Sequence, residues 1–240
     1  MTRPRGSGSA ALLALLGMAG ATGAMAGPAT GQTGGTPIPE PVAPTTGGTG
    51  YGEAGTRAIR VKPTALRNQR VYVRGTFPGA AKRRVMLQRF DSKKGWRDER
   101  SGRVHSSERF RIKWRAHRSG QHKLRVVRAS RRGSTARANT APVAKINVYR
   151  PMQATYFGPG LYGRTTACGQ VLTPVLEGVA HKTLPCGTRV ALMVKRREVV
   201  VPVVDRGPFN GGYTLDLTQG TADALAFPAS GEIGYIRLPS

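Results

Sequence analysis

Polar and apolar residues alternate at period two through the middle of this chain. In residues 70–75, 84–90, 109–115 and 122–127, Val71 and Val73, Val85 and Leu87, Phe110, Ile112 and Trp114, and Leu124 and Val126 alternate with Arg, Lys, Gln and Tyr. Such segments read as half-buried strands with one apolar face and one polar face. Turn signals at Pro78-Gly79, residues 91–95 and Ser119-Gly120 separate them, and residues 143–148 supply a closing strand. Short strands at this spacing predict a β-sandwich, and no helical period competes with it.

From residue 151 the pattern changes. Residues 189–194, 198–204 and 213–217 read as strands. The second is apolar on both faces, because Val200 and Val204 interleave with Val199, Val201 and Val203. A strand with two buried faces implies a closed or covered sheet. Thr218 stands where it caps a short helix over 219–226, with Ala222, Leu225 and Ala226 inward and Phe227-Pro228 as the stop. A last strand follows at 233–238. A short segment with one small helix predicts a compact barrel.

The first 56 residues show neither period. Arg3 and Arg5, the apolar stretch 10–21 and Ala24-Met25-Ala26 have the form of a signal peptide over 1–26. The apolar stretch is too short and glycine-rich for a stable membrane span. Residues 27–56 are Gly, Pro, Thr and Ala with few large apolar groups, which predicts a disordered tether. The expected organisation is therefore 1–26 signal peptide, 27–56 linker, 57–150 basic sandwich and 151–240 barrel. The fold class is mainly β, and the location is secreted or at the cell envelope.

Charge sharpens that division. Of the formal +26, residues 57–150 contribute 28 Lys and Arg against 4 Asp and Glu, whereas 151–240 hold 8 against 6. Repulsion on that scale calls for an anionic partner of the middle segment. Export turns the expectation from nucleic acid to an anionic envelope polymer: a phosphate- or carboxylate-bearing glycan, or lipid headgroups. Trp114 continues the apolar alternation and reads as core, whereas Trp96 lies beside a turn with core and ligand roles both open. His105, His117 and His122 have no metal-ligand spacing and read as surface residues.

Two phrases of the C-terminal segment carry candidate chemistry. Residues 201–209 form an apolar strand that ends on Asp205 inside a tight turn, a setting that partly desolvates a carboxyl and aims it by rigid backbone. Residues 180–188 hold His181, the one histidine after residue 150. Cys168 and Cys186 are the chain's two cysteines, and in an exported protein they are expected to pair. Closing that loop stabilises by about 3 kcal/mol in the loop-entropy account.

These phrases, with Ala154 to Gly158, Gly163 to Gly169 and Leu215 to Thr218, fall in the order of the rare-lipoprotein-A-like domains. Residues 152–240 resemble that family, whose fold is a six-stranded double-psi β-barrel related to barwin and expansins. The preceding sandwich resembles bacterial immunoglobulin-like wall-binding domains in layout. The first resemblance implies action on peptidoglycan glycan strands, with Asp205 as catalytic acid/base and His181 in the same groove. It implies sugar contacts from Tyr156, Thr166, Gln170, Arg206 and Phe209, and it calls for no cofactor or metal. A lytic transglycosylase needs one carboxyl: it protonates the glycosidic oxygen, and the sugar's own 6-hydroxyl closes a 1,6-anhydro ring without water. Gln170 stands where glycan-cleaving relatives carry a glutamate, and an amide cannot exchange a proton. Glu177 is the nearby acid that could take its place, and Asp216 reads as a structural strand-end residue. The leading expectation is a peptidoglycan lytic transglycosylase. The alternatives are a non-catalytic wall-binding or expansin-like protein and an envelope protein-interaction module.

Overall fold

The computed structural model describes residues 49–51, 58–129, 141–209 and 211–239. The signal-peptide reading and most of the tether lie outside the described residues. Strand order along the chain is β1 (Thr49–Tyr51), β2 (Ala58–Arg60), β3 (Thr64–Leu66), β4 (Arg70–Thr76), β5 (Arg84–Asp91), β6 (Gly95–Arg103), β7 (Arg109–Arg115), β8 (Gly120–Arg128) and β9 (Val143–Phe157). Then come β10 (Val179–Ala180), β11 (Arg189–Val194), β12 (Arg197–Asp205), β13 (Leu215–Thr218), helix α1 (Gln219–Leu225) and β14 (Ser230–Arg237). Mainly β architecture is what the alternation calls for.

Two sheets face each other across the N-terminal core. One has the order β1-β2-β4-β7, and the other runs β9-β8-β5-β6 with β3 on the far side of β9. Val71, Val73, Phe110, Ile112 and Trp114 of the first meet Val85, Leu87, Leu124, Val126, Ile146 and Val148 of the second. Trp114 sits in this core, as its place in the alternation requires.

Three readings change here. β6 was hidden in the sequence because Arg97-Asp98-Glu99-Arg100 has no apolar alternation; its backbone pairs β5 along its length. Trp96 therefore lies on a strand, edge-on to Phe90 and under the Arg125 guanidinium. His122 is only 8% exposed, because it shares the inward parity of Leu124 on β8, and its Nε2 bonds the Arg118 carbonyl at 2.8 Å. Thr49–Tyr51, inside the expected tether, pairs with β2.

Strand β9 serves both halves of the molecule. Residues 143–148 pair with β8, whereas 150–155 pair with β14 and 154–157 run parallel to β13. No linker separates the halves at residue 150. Tyr149 is fully buried at this junction with Ala191 and Ile236, flanked by Leu66, and its hydroxyl donates to Glu198.

The barrel closes through β9, β14, β11, β12, β10 and β13. Two of its pairings are parallel, β10 with β12 and β13 with β9, in an otherwise antiparallel sheet. These parallel crossings are the double-psi connection. The core is Val190, Leu192, Val201, Val203, Leu215, Leu217, Leu225 and Ile233 with their neighbours.

Helix α1 is held at its start by a closed polar cluster. Thr218 and Thr221 are both 0% exposed, and their hydroxyls accept from the Gly178 N–H at 3.0 and 2.8 Å and donate to its carbonyl at 3.1 and 2.9 Å. Thr218 also caps the helix by accepting from the Thr221 N–H. Gly178 is required by space: a Cβ there would lie 2.4 Å from Val204 Cγ2. We expect Thr218→Val, which keeps shape and removes the hydroxyl, to cost about 2 kcal/mol in urea unfolding. A loss within error of zero would show that the cluster does not hold the helix.

Candidate active site

Strand β12 delivers Asp205 to the end of the barrel, and the chain then turns away at Gly207, whose φ of +123° suits glycine. In the parallel ladder Asp205 registers with Ala180 of β10, and in the antiparallel ladder Ala180 registers with Asp216 of β13. Asp216 in turn registers with Thr155 of β9. Asp205, Ala180, Asp216 and Thr155 thus form one row across four adjacent strands. The small Ala180 leaves room between the two acids, which stand two strand spacings apart, about 9.5 Å in a regular sheet.

All four residues line one cleft of about 450 Å³, with Phe157, Leu161, Arg206, Phe209 and Tyr213 on its walls and rim. Phe209 is 75% exposed, an apolar plate at the cleft edge suited to a sugar face. Asp205 Oδ1 accepts the N–H groups of Ala167 and Arg206, each at 2.8 Å. Among the described residues Oδ2 accepts no hydrogen bond, so one oxygen is fixed and the other is left for a ligand. Asp216 Oδ1 accepts the Thr155 hydroxyl at 2.6 Å. Burial raises the pKa of Asp216; the Thr155 bond opposes the rise and the charge of Asp205 adds to it.

The disulfide Cys168–Cys186 is formed. It ties the 165–170 loop to the 181–186 turn, and the Cys168 N–H donates to the Val204 carbonyl at 3.3 Å. This loop carries the Ala167 N–H that aims Asp205. Thr166 and Gln170 close it from within: the Thr166 hydroxyl bonds Gln170 Oε1 at 3.2 Å and accepts the Gln170 N–H at 3.2 Å. Their side chains support the Asp205 loop and do not line the cleft.

His181 also stands apart from the cleft lining, which takes Ala180, its neighbour of opposite strand parity. The two candidate residues meet through backbone, the His181 N–H donating to the Asp205 carbonyl at 3.1 Å. Nδ1 accepts the N–H groups of Thr183 and Leu184, each at 3.1 Å, so a neutral ring carries its proton on Nε2. Burial, followed by the charges of Arg206, Arg150, Arg237 and Lys182, lowers the His181 pKa. The neutral ring organises the turn over 181–184. Arg206 has a similar part: its guanidinium donates to the Leu184 carbonyl at 2.9 Å and to Cys186 Sγ at 3.3 Å.

Residues 152–236 match the family model described as lytic transglycolase. This stretch is a double-psi barrel domain of that family. Among curated relatives, the "Probable endolytic peptidoglycan transglycosylase RlpA" of Synechocystis sp. is 42% identical over 106 residues, covering 43% of this chain and 33% of that protein. The "Endolytic peptidoglycan transglycosylase RlpA" of Campylobacter jejuni is 39% identical over 80 residues, covering 32% of this chain and 29% of that protein. The chain therefore spans about a third of the length of these curated relatives. The Streptomyces papain inhibitor aligns over 36% of this chain and 92% of its own at 24% identity, with a TM-score of 0.28.

Of the residues singled out in the sequence, the lytic transglycolase domain brings Asp205, Arg206 and Phe209 into one cleft. Tyr156 packs against the barrel core instead, and Thr155 and Phe157, of the other parity on β9, take the cleft face. Glu177 is not among the cleft residues. Asp216 is the residue that sequence reasoning set aside. Its signal was the alternation Leu215-Asp216-Leu217, with both leucines fully buried and the acid on the opposite face of the strand.

Proposed function

We propose that the domain cleaves the glycan strands of peptidoglycan by proton transfer between the Asp205–Asp216 pair and the sugar. The observation that carries this reading is the cross-strand row Asp205, Ala180, Asp216, with two carboxyls facing one open cleft. Asp216, held toward its protonated form, gives its proton to the glycosidic oxygen as that bond to the anomeric carbon breaks. Asp205, aimed by two backbone N–H groups, stabilises the cationic sugar and takes the proton of the sugar's 6-hydroxyl as that oxygen bonds the anomeric carbon. The product is a 1,6-anhydro end, no water is consumed, and proton exchange between solvent and the two carboxyls resets them. Support for the substrate comes from the names of the curated relatives and the family match.

The carboxyl pair also favours a second reading, hydrolysis, in which Asp205 activates water in place of the 6-hydroxyl. One experiment tests both: purified peptidoglycan, with and without its stem peptides, is digested by the full chain and the fragments are weighed. Anhydro ends are expected. Hydrated reducing ends would replace the first reading with the second, and an unchanged polymer would leave a wall-binding protein.

Residues 57–150 serve, in the same reading, to concentrate the domain on an anionic polymer of the envelope, which their charge supports. The leader-like N-terminus and the peptidoglycan named for the relatives support a place outside the cytoplasm. No described helix is long and apolar enough to cross a membrane.

A further inference from the structure

We propose that the outer face of the four-stranded sheet is a groove for a linear phosphodiester polymer that carries no nucleobases. This rests on the reading of residues 57–150 as a polyanion-binding unit and gives that unit a site and a ligand chemistry. The face is concave, enclosing about 1180 Å³ over strands β2, β4 and β7. Inward residues of β4 and β7 are core, so strand parity sends Arg70, Tyr72 and Arg74, and Arg109, Arg111, Lys113 and Arg115, outward.

Registration makes the face unusual. Arg60, Arg74 and Arg111 stand directly opposite one another on three neighbouring strands, and Arg70 faces Arg115 in the same way. Like charges in directly opposed positions destabilise a sheet. Among the described residues no carboxylate lies within ion-pair distance of Arg70, Arg74, Arg109, Arg111 or Arg115, and both described ion pairs belong to Arg89 on the other sheet. Three of the four acids of this segment lie there, Asp91 on β5 and Asp98 and Glu99 on β6, the last two bonded to Gln88, Arg89 and Trp114, whereas the fourth, Glu108, accepts from the Gly79 N–H in the turn before β7. An anion on the arginine face would remove the repulsion that the sequence tolerates.

The residue types narrow the anion. With Arg60 of β2 the outward cations number seven, six of them arginine and Lys113 the exception, and the planar guanidinium fork matches phosphate oxygens in pairs. Tyr72 lies beneath them, with the Arg111 guanidinium 3.8 Å from its ring centroid. The ring face that holds the guanidinium thus orients an arginine and is closed to base stacking, which polymers with nucleobases exploit. Along β7 the outward cations recur every second residue, about 6.8 Å apart. An extended polyol-phosphate chain can match that spacing, one phosphodiester to each cation.

The test uses the full chain and three probes: poly(glycerol phosphate), a single-stranded oligodeoxynucleotide of equal charge, and polygalacturonate. The groove variant is R74Q/R111Q; the control is K123Q/K145Q, which removes the same charge from exposed positions on the other sheet. For poly(glycerol phosphate) we expect at least tenfold weaker binding by the groove variant, a salt slope reduced by about two, and less than a twofold change in the control. Melting temperatures report that both variants fold. Equal weakening by both variants would overturn the groove while keeping the polyanion reading. Equal or tighter binding of the oligonucleotide or polygalacturonate would overturn the ligand chemistry. Failure of the unaltered chain to bind any probe would overturn the polyanion reading itself.

Discussion

Asp205→Asn is expected to lower the release of anhydro-ended fragments by about 10²- to 10⁴-fold, the usual worth of a positioned proton-transfer group. The substitution is nearly isosteric. Its Oδ1 can still accept from the Ala167 and Arg206 N–H groups, so the 165–170 loop should hold its place. What disappears is the capacity to take the proton of the 6-hydroxyl and the negative charge beside the forming cation. A kcat that falls with KM nearly unchanged is therefore the expected signature. Full activity in the variant would remove Asp205 from the chemistry. A loss confined to KM would assign it to sugar binding.

Asp205 differs from its neighbours in this respect. Thr166, Gln170 and His181 act on Asp205 through backbone or loop contacts and do not line the cleft, and Arg206, which does, has its guanidinium donating to the Leu184 carbonyl and Cys186 Sγ. Gln170 in the place of a glutamate therefore bears on loop geometry more than on proton transfer. Its amide is already engaged with Thr166.

The strands that were legible in the sequence are those with one wet and one dry face, such as β4, β7 and β8, where burial follows parity. β6 escaped because an outer strand with polar side chains on both faces leaves no period to read. β10 is two residues long, too short for any pattern, yet it holds the centre of the row that joins Asp205 to Asp216. Asp205 was legible because an apolar run stops on it. Asp216 was not, because an acid at a strand end just before a helix cap has an ordinary structural explanation, and only the parallel pairing of distant strands brings it opposite Ala180. Tyr156 and Phe157 show a similar limit: period two says that one of the pair faces the cleft and leaves open which, and it is Phe157 that does.

Asp216→Asn should lose activity and gain stability, and the two effects have one cause. The carboxyl pKa is raised by burial, and further by Asp205, despite the opposing Thr155 bond. Below the ordinary carboxyl pKa of 3.8 the folded and unfolded chains both hold the proton, and the residue adds no pH dependence. As pH rises past that value the unfolded chain releases its proton first, so folding becomes less favourable until the folded carboxyl also ionises. Above that point the penalty is constant. Asparagine removes it while its amide oxygen still accepts from Thr155, so the variant should melt higher than the parent at pH 7 and at the same temperature near pH 3. Its cleavage rate should drop by about 10²-fold or more, because no neutral acid remains to protonate the leaving oxygen. The parent's rate should likewise fall as pH rises through the folded pKa of Asp216, a limb that the variant lacks. A variant that melts higher yet cleaves at the parent's rate would make Asp216 a buried structural acid and return both proton transfers to Asp205, whose single carboxyl would then act as acid and base in turn.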